Sequence, residues 1–241
     1  VTTGRTDRLA VLIDADNVSA KHAAEIFEEI ATLGEAGLRR IYGDFSNGSP
    51  QGWEAKSLAE YAIVPHQQFA NTTGKNSSDI ALVIDAMDIL HSGRFSGFVL
   101  VSSDSDFTRL ASRIREQGLD VFGIGERKAP KAFVAACNRF IYIENIEKPE
   151  AGAAKAQKGE SPKSKHDLNH AFQLIRNVAK NSNEPDGWAT LGFVGHQLGK
   201  IYPDFDARTY GYKRLSDLVR ALDRFEKSGT NGGLKIRSTE P

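Results

Sequence analysis

Two stretches of this chain share one design, an unbroken aliphatic run that stops on acids. Residues 9–17 read LAVLIDADN and residues 98–107 read FVLVSSDSDF. A strand with one face in water alternates apolar with polar residues. These runs do not alternate, so both faces of each strand are expected to be buried, as in a parallel sheet covered by helices on both sides. Such a sheet collects its chemistry beyond the carboxyl ends of its strands. The acids follow the aliphatics in both stretches, so they fall at that rim. If the two strands are neighbours, Asp14, Asp16, Asp104 and Asp106 meet there.

The rest of the front half agrees with this plan. Strands are predicted at 8–13, 38–45, 63–68, 98–101, 120–124 and 139–143. Helices are predicted at 19–33, just after Pro50, and at 79–90, 107–117 and 130–137. Ser19 suits the N-cap of the first helix, and Ile26, Ile30 and Leu33 share one of its faces. In the helix at 79–90, Ile80, Val83, Ile84, Met87 and Leu90 recur at helical spacing. Gly34–Gly37 and Gly123-x-Gly125 are expected as turns; the second is too incomplete for a nucleotide-binding motif. Strands alternating with helices predict an α/β fold with a doubly wound parallel sheet and right-handed crossovers, although strand order cannot be read from sequence.

The acids admit two readings. Asp, Asn and Ser favour helix N-caps, so any one of them is most simply structural. Taken together they suggest a metal site. Asp14 leaves one strand, Asp104 and Asp106 leave another, and Asp79 opens a helix, where the helix dipole favours a carboxylate. Asp85 and Asp88, further along that helix, cannot all share its direction. Clustered carboxylates take up protons unless a cation is present. Oxygen ligands without His or Cys select Mg²⁺ or Mn²⁺ rather than Zn²⁺, and such an ion can activate water against a phosphodiester. Asn17 can orient a carboxylate or a phosphate. Ser102, Ser103 and the backbone N–H groups after them are candidate phosphate ligands.

Composition narrows the class. Residues 1–147 carry 15 Lys and Arg against 20 Asp and Glu, whereas residues 148–241 carry 16 against 11. An acidic front and a basic rear fit a metal-binding domain joined to one that binds a polyanion. The single cysteine, Cys137, allows no internal disulfide and reads as a small buried hydrophobe. With no apolar run of about 18 residues and no recognisable secretory leader, a cytoplasmic protein without a membrane partner is expected.

Residues 148–165, KPEAGAAKAQKGESPKSK, have no apolar period and read as a flexible linker. Beyond them, helices are predicted at 168–179, 191–201 and 215–222, with a strand at 234–236 forming a hairpin with the region near Phe225. That is a winged-helix plan. The domains are set at 7–147 and 167–238, with 148–166 between them.

VLIDADN, SSDIALVIDAMD and VLVSSDSDF, in this order, resemble the NYN domain, a branch of the PIN-like ribonuclease fold found in bacterial LabA-like proteins. The resemblance covers residues 8 to about 146. It implies a Mg²⁺- or Mn²⁺-dependent ribonuclease that cleaves RNA with metal-activated water. Its metal ligands fall on Asp14, Asp79, Asp104 and Asp106, with Asn17 beside them, Asp16 less directly matched, and Lys75 as a phosphate contact. The stretch DGWATLGFVGHQLGKIYPDFDARTYGYKRLSDLVRAL resembles the OST-HTH, or LOTUS, domain, which implies RNA binding. There Lys200, Arg208, Tyr210, Tyr212, Lys213 and Arg214 supply cations and aromatic rings for phosphates and bases, with one of the two tyrosines expected in the core.

Two other functions compete. Asp14-x-Asp16 after a strand also looks like the nucleophile motif of haloacid-dehalogenase-type phosphatases, but the late carboxylate pair of that family is missing. A non-catalytic RNA-binding adaptor would carry the same signature as a slow nuclease. RNA is the expected partner in either case, and a homodimer or a protein partner through the rear unit is the other association considered.

Overall fold

The computed structural model describes residues 7–46, 48–69, 77–147, 165–229 and 233–240. The chain divides into two compact units, Val1–Lys148 and Pro149–Pro241. Most of the expected linker, and Lys75, lie outside the described residues.

The front unit runs β1 (Arg8–Asp14), α1 (Ala23–Leu33), β2 (Glu35–Gly43), α2 (Ala55–Glu60), β3 (Val64–Gln67), α3 (Ser77–His91), β4 (Gly97–Val101), α4 (Thr108–Glu116), β5 (Asp120–Gly125), α5 (Lys131–Ala136), β6 (Arg139–Tyr142) and α6 (Ile143–Ile146). All six strands are parallel, in the order β3-β2-β1-β4-β5-β6. The chain steps from β1 outward to β2 and β3, then returns across the sheet to β4 and steps outward the other way. The order reverses between β1 and β4, and at such a switch point the adjoining loops splay apart and leave a crevice.

Each face of the sheet has its own core. Ala10, Leu12, Phe98 and Leu100 pack with Leu82, Ala86 and Ile89 of α3 and with Leu110 and Ile114 of α4. Val11, Ile13, Val99 and Val101 pack on the other face with Ile26 and Ile30 of α1 and with Trp53. The buried Trp53 is held by an indole N–H donated to the Val18 carbonyl at 2.7 Å. Removing a methylene-rich side chain from either layer costs about 2–5 kcal/mol, so two continuous cores make a stiff platform.

Three expectations are corrected here. Gly34–Gly37 is not a turn, because β2 begins at Glu35. Leu9 pairs with Ala36 and Ala10 with Leu38, so Gly37 is the extra residue of a bulge inside the strand. Gly123 and Gly125 likewise lie within β5. A Cβ on Gly123 would sit 2.3 Å from the Phe140 ring, so glycine is required there by close packing and not by a turn. On α3, Ile80 and Ile84 share the expected period but are 60 % and 59 % exposed. The buried stripe is Leu82, Ala86, Ile89 and Leu90. This helix is apolar on more than one side, so periodicity alone could not choose its inner face.

The rear unit comprises α7 (Lys165–Ala179), β7 (Ala189–Thr190), α8 (Leu191–Ile201), α9 (Leu215–Ala221), β8 (Phe225–Ser228) and β9 (Lys235–Ser238). The strands form a small antiparallel sheet in the order β7-β9-β8, one strand more than expected. Phe172, Ile175, Leu198, Leu218 and Ile236 close its core. Thr190 caps α8 by accepting from the Phe193 N–H at 3.2 Å. Among the described residues no helix is long and apolar enough to cross a membrane.

Candidate active site

β1 and β4 lie side by side, with Ile13 opposite Val101, so the two acidic motifs leave the sheet together. Asp14 is the fixed member. It is 1 % exposed, and its carboxylate accepts three hydrogen bonds: Oδ2 from Asn17 Nδ2 at 2.6 Å and from Ser102 Oγ at 2.8 Å, and Oδ1 from the Asp16 N–H at 3.1 Å. Burial raises its carboxyl above the ordinary range, and those hydrogen bonds work against the rise.

Asp104 and Asp106 open the turn Ser105–Phe107 ahead of α4. Asp104 Oδ1 accepts from the Asp106 N–H at 2.9 Å, so it does act as a cap. Asp79 stands in the first turn of α3, which packs against β1 and against the Ser105–Phe107 turn. Its carboxyl is pushed up to about 6, first by partial burial and then by the negative charges of Asp14, Asp104, Asp106 and Asp16. Thus the four expected carboxylates and Asp16 share one electrostatic neighbourhood. Asp16 is exposed and accepts from Ser78 Oγ at 3.1 Å.

The donor set is all oxygen, which fits a hard divalent cation. Among the described residues, however, no three His, Cys, Asp or Glu side chains converge so as to hold a metal ion. Asp14 and Asp104 stand in the rotamers of their local hydrogen bonds. The donor chemistry and the mutual repulsion fit a cation; a closed chelate is not formed.

Several assigned roles change. Ser102 and Ser103 are buried and already committed, so they are not open to a phosphate. Ser102 Oγ donates to Asp14 and accepts from the Asp104 N–H at 3.0 Å, while Ser103 Oγ accepts from the Glu126 N–H at 2.8 Å. Ser102 thereby ties the two acidic motifs together. Gly125 permits this packing, because a Cβ there would lie 2.4 Å from the Ser102 carbonyl oxygen and 2.9 Å from Ser103 Oγ. Only the tertiary contact reveals that requirement. Asp85 turns away from the rim, where Arg40 and the Tyr42 hydroxyl both donate to it. Burial alone would raise its carboxyl, but these partners hold it below the ordinary range. Tyr42 lies opposite Asp14 in register, a neighbour that no local sequence signal marks. Cys137 is buried, and burial pushes its thiol up to about 12, so it is not a nucleophile near neutrality.

In the rear unit, Lys200, Lys213 and Arg214 are exposed and Tyr212 is half-buried. Arg208 donates from Nε to Asp206 Oδ2 at 2.8 Å. Tyr210 is 7 % exposed, packs on Phe205 and places its hydroxyl 3.1 Å from His170 Nδ1. Its ring belongs to the core and is not a platform for bases.

A doubly wound parallel sheet with carboxylates at its switch point is an arrangement that PIN-like nucleases share with other α/β proteins, so the sequence match decides the class. The NYN domain profile matches residues 8–144, more than half of the chain, and the chain belongs to that family. The OST-HTH/LOTUS domain profile matches residues 167–236. No curated protein matches the chain. A crystal structure of a Vibrio parahaemolyticus protein of unknown function is similar in fold, with a TM-score of 0.50 and 21 % identity over 59 % of this chain and 96 % of that one. The NYN match removes the support for the phosphatase alternative.

Proposed function

We propose that this protein is a Mg²⁺- or Mn²⁺-dependent ribonuclease whose rear unit holds the RNA. The observation that carries the reading is the meeting of Asp14, Asp104 and Asp106 at the β1/β4 switch point, with Asp79 near enough that their charges help raise its carboxyl to about 6. Asp14, Asp79, Asp104 and Asp106 would hold the ion, which when bound supplies an activated water and neutralises charge on the phosphodiester. Asp14 is held still by Ser102 and Asn17. Asp79, Asp104 and Asp106 are less buried than Asp14, and rotamer changes that give up the capping bond of Asp104 would turn their oxygens toward the ion. Above pH 6 Asp79 is ionised and able to serve as a ligand; below that its proton competes. Lys200, Lys213 and Arg214 bring exposed positive charge to RNA phosphates, a sequence-tolerant contact weakened by salt.

A second reading, an RNA-binding adaptor without cleavage, draws on the capping bond of Asp104 and the absence of a formed chelate among the described residues. Cleavage of single-stranded RNA by the full chain in Mn²⁺ separates the two. Asp104→Asn is expected to slow cleavage by roughly two orders of magnitude or more, since metal-assisted charge stabilisation contributes several kcal/mol to lowering the barrier. Excess EDTA should do the same. Cleavage equal to wild type in either condition would sink the metal mechanism, and RNA binding with no cleavage under any condition would establish the adaptor.

A further inference from the structure

The opposite rim of the same sheet gathers arginines. A cavity of about 600 Å³ at the amino ends of β1, β2 and β3 is lined by Arg8, Arg39, Arg40, Arg94 and Phe95 around the bulge residue Gly37, and no Asp or Glu contributes to its wall. These arginines differ in what they have left to offer. Arg40 is ion-paired with Asp85. Arg39 donates to the Tyr61 carbonyl at 2.8 Å and lies 5.2 Å from the centre of the Phe27 ring, but it has no carboxylate partner among the described residues. Arg8 lies 5.7 Å from the centre of the Phe95 ring, and its Nε comes within 3.1 Å of where a Cβ on Gly37 would be. Glu35 stands opposite Arg8 in register and forms no ion pair with it among the described residues. Arg94 is exposed, in the loop between α3 and β4. Arg8 and Arg94 therefore bring two guanidinium groups without a counter-carboxylate among the described residues to one concave site, Arg8 against an aromatic ring, while the Arg39 guanidinium lies against Phe27 on the other face of the sheet from Arg40.

We propose that this cavity is a second anion site that takes a phosphate group, separate from the carboxylate rim. Guanidinium forks match phosphate oxygens two at a time, and rings that hold the forks reduce the ordering that binding requires. A cavity of this volume lies within the ordinary range for small ligands, large enough for a mononucleotide or for one terminal nucleotide of an RNA. Asp14 lies six residue steps along β1 from Arg8, about 20 Å of extended strand, so a phosphate held here does not touch the aspartates. The proposal does not depend on cleavage at the other rim.

The test uses the full chain in EDTA, titrated calorimetrically with inorganic phosphate, adenosine 5′-monophosphate, adenosine, and a ten-nucleotide single-stranded RNA. Adenosine is expected not to bind, and Arg94→Glu is expected to weaken a phosphate-bearing ligand at least tenfold, with the milder Arg94→Gln in between. Asp104→Asn, in contrast, leaves this affinity unchanged. An Arg94-dependent response to the mononucleotide identifies a small nucleotide as the source of the phosphate. The same response confined to the RNA identifies the RNA strand. The site is refuted if no phosphate-bearing probe binds, if both Arg94 variants bind like wild type, or if binding is lost in Asp104→Asn and kept in Arg94→Glu. Loss of cleavage in Asp104→Asn bears only on the ribonuclease reading.

Discussion

At the carboxyl ends of β1 and β4 the sheet gathers aspartates; at the amino ends of β1 and β2 it gathers arginines, and β1 itself opens on Arg8 and closes on Asp14. The two rims are built differently. Asp14 ends β1 and Asp104 stands three residues past β4, both on short side chains that accept from neighbouring hydroxyl, amide or backbone N–H groups. The arginines come from three separate segments on long side chains, and of the two guanidinium groups at the cavity without a carboxylate partner among the described residues, that of Arg8 rests against the Phe95 ring. The acidic rim should therefore be intolerant of small changes, and the arginine rim adaptable.

The largest expected effect concerns a cation at the acidic rim. At a hundredfold excess over its dissociation constant, Mn²⁺ should stabilise the full chain by about 2.7 kcal/mol, read as a higher melting temperature. Asp104→Asn should abolish that gain. An equal gain in the variant would mean that the ion binds elsewhere, and the contrast between the rims would lose its functional meaning.

Gly125→Ala should cost roughly 2 kcal/mol, because its Cβ collides with backbone and with the buried Ser103 hydroxyl and nothing there can yield. Chemical denaturation measures the loss, and cleavage should fall with it as Ser102 shifts against Asp14. Wild-type stability would show that the acidic rim relaxes more easily than its packing implies.

A smaller effect appears in the pH dependence of the metal-free chain. Asp79 titrates at about 6 when folded, against 3.8 for an ordinary aspartate. Between those values the folded chain holds a proton that the unfolded chain has lost, so this contribution to stability is complete at low pH and declines as pH rises through about 6. Asp14 is shifted in the same direction. Melting temperatures in EDTA across this window should carry that downward slope, and Asp79→Asn should flatten it. An unchanged slope in the variant would place the proton elsewhere in the coupled cluster.

Gly37→Ala at the arginine rim should matter least, within about 0.5 kcal/mol, since the new Cβ meets only the outer end of the Arg8 side chain at 3.1 Å. A loss as large as that of Gly125→Ala would show Arg8 to be rigidly held and would erase the distinction drawn between the two rims.

The sequence alone determined the features that are local. Unbroken aliphatic runs specify strands buried on both faces, because no other arrangement hides both sides. The acids that follow them fall at the strand ends through chain connectivity alone, so the positions of Asp14, Asp104 and Asp106 are legible in the order of residues itself. Tertiary packing decided what depends on partners distant in sequence. It set β1 beside β4, and so brought the two motifs together. It turned Ile80 and Ile84 outward on a helix apolar on more than one side, drew Ser102, Ser103 and Tyr210 inside, and held Gly123 and Gly125 within a strand by contact with Phe140 and Ser102. It also collected Arg8, Arg39, Arg40 and Arg94 around one cavity, a cluster with no sequence signature because its members lie up to 86 residues apart and meet only through the order of the strands.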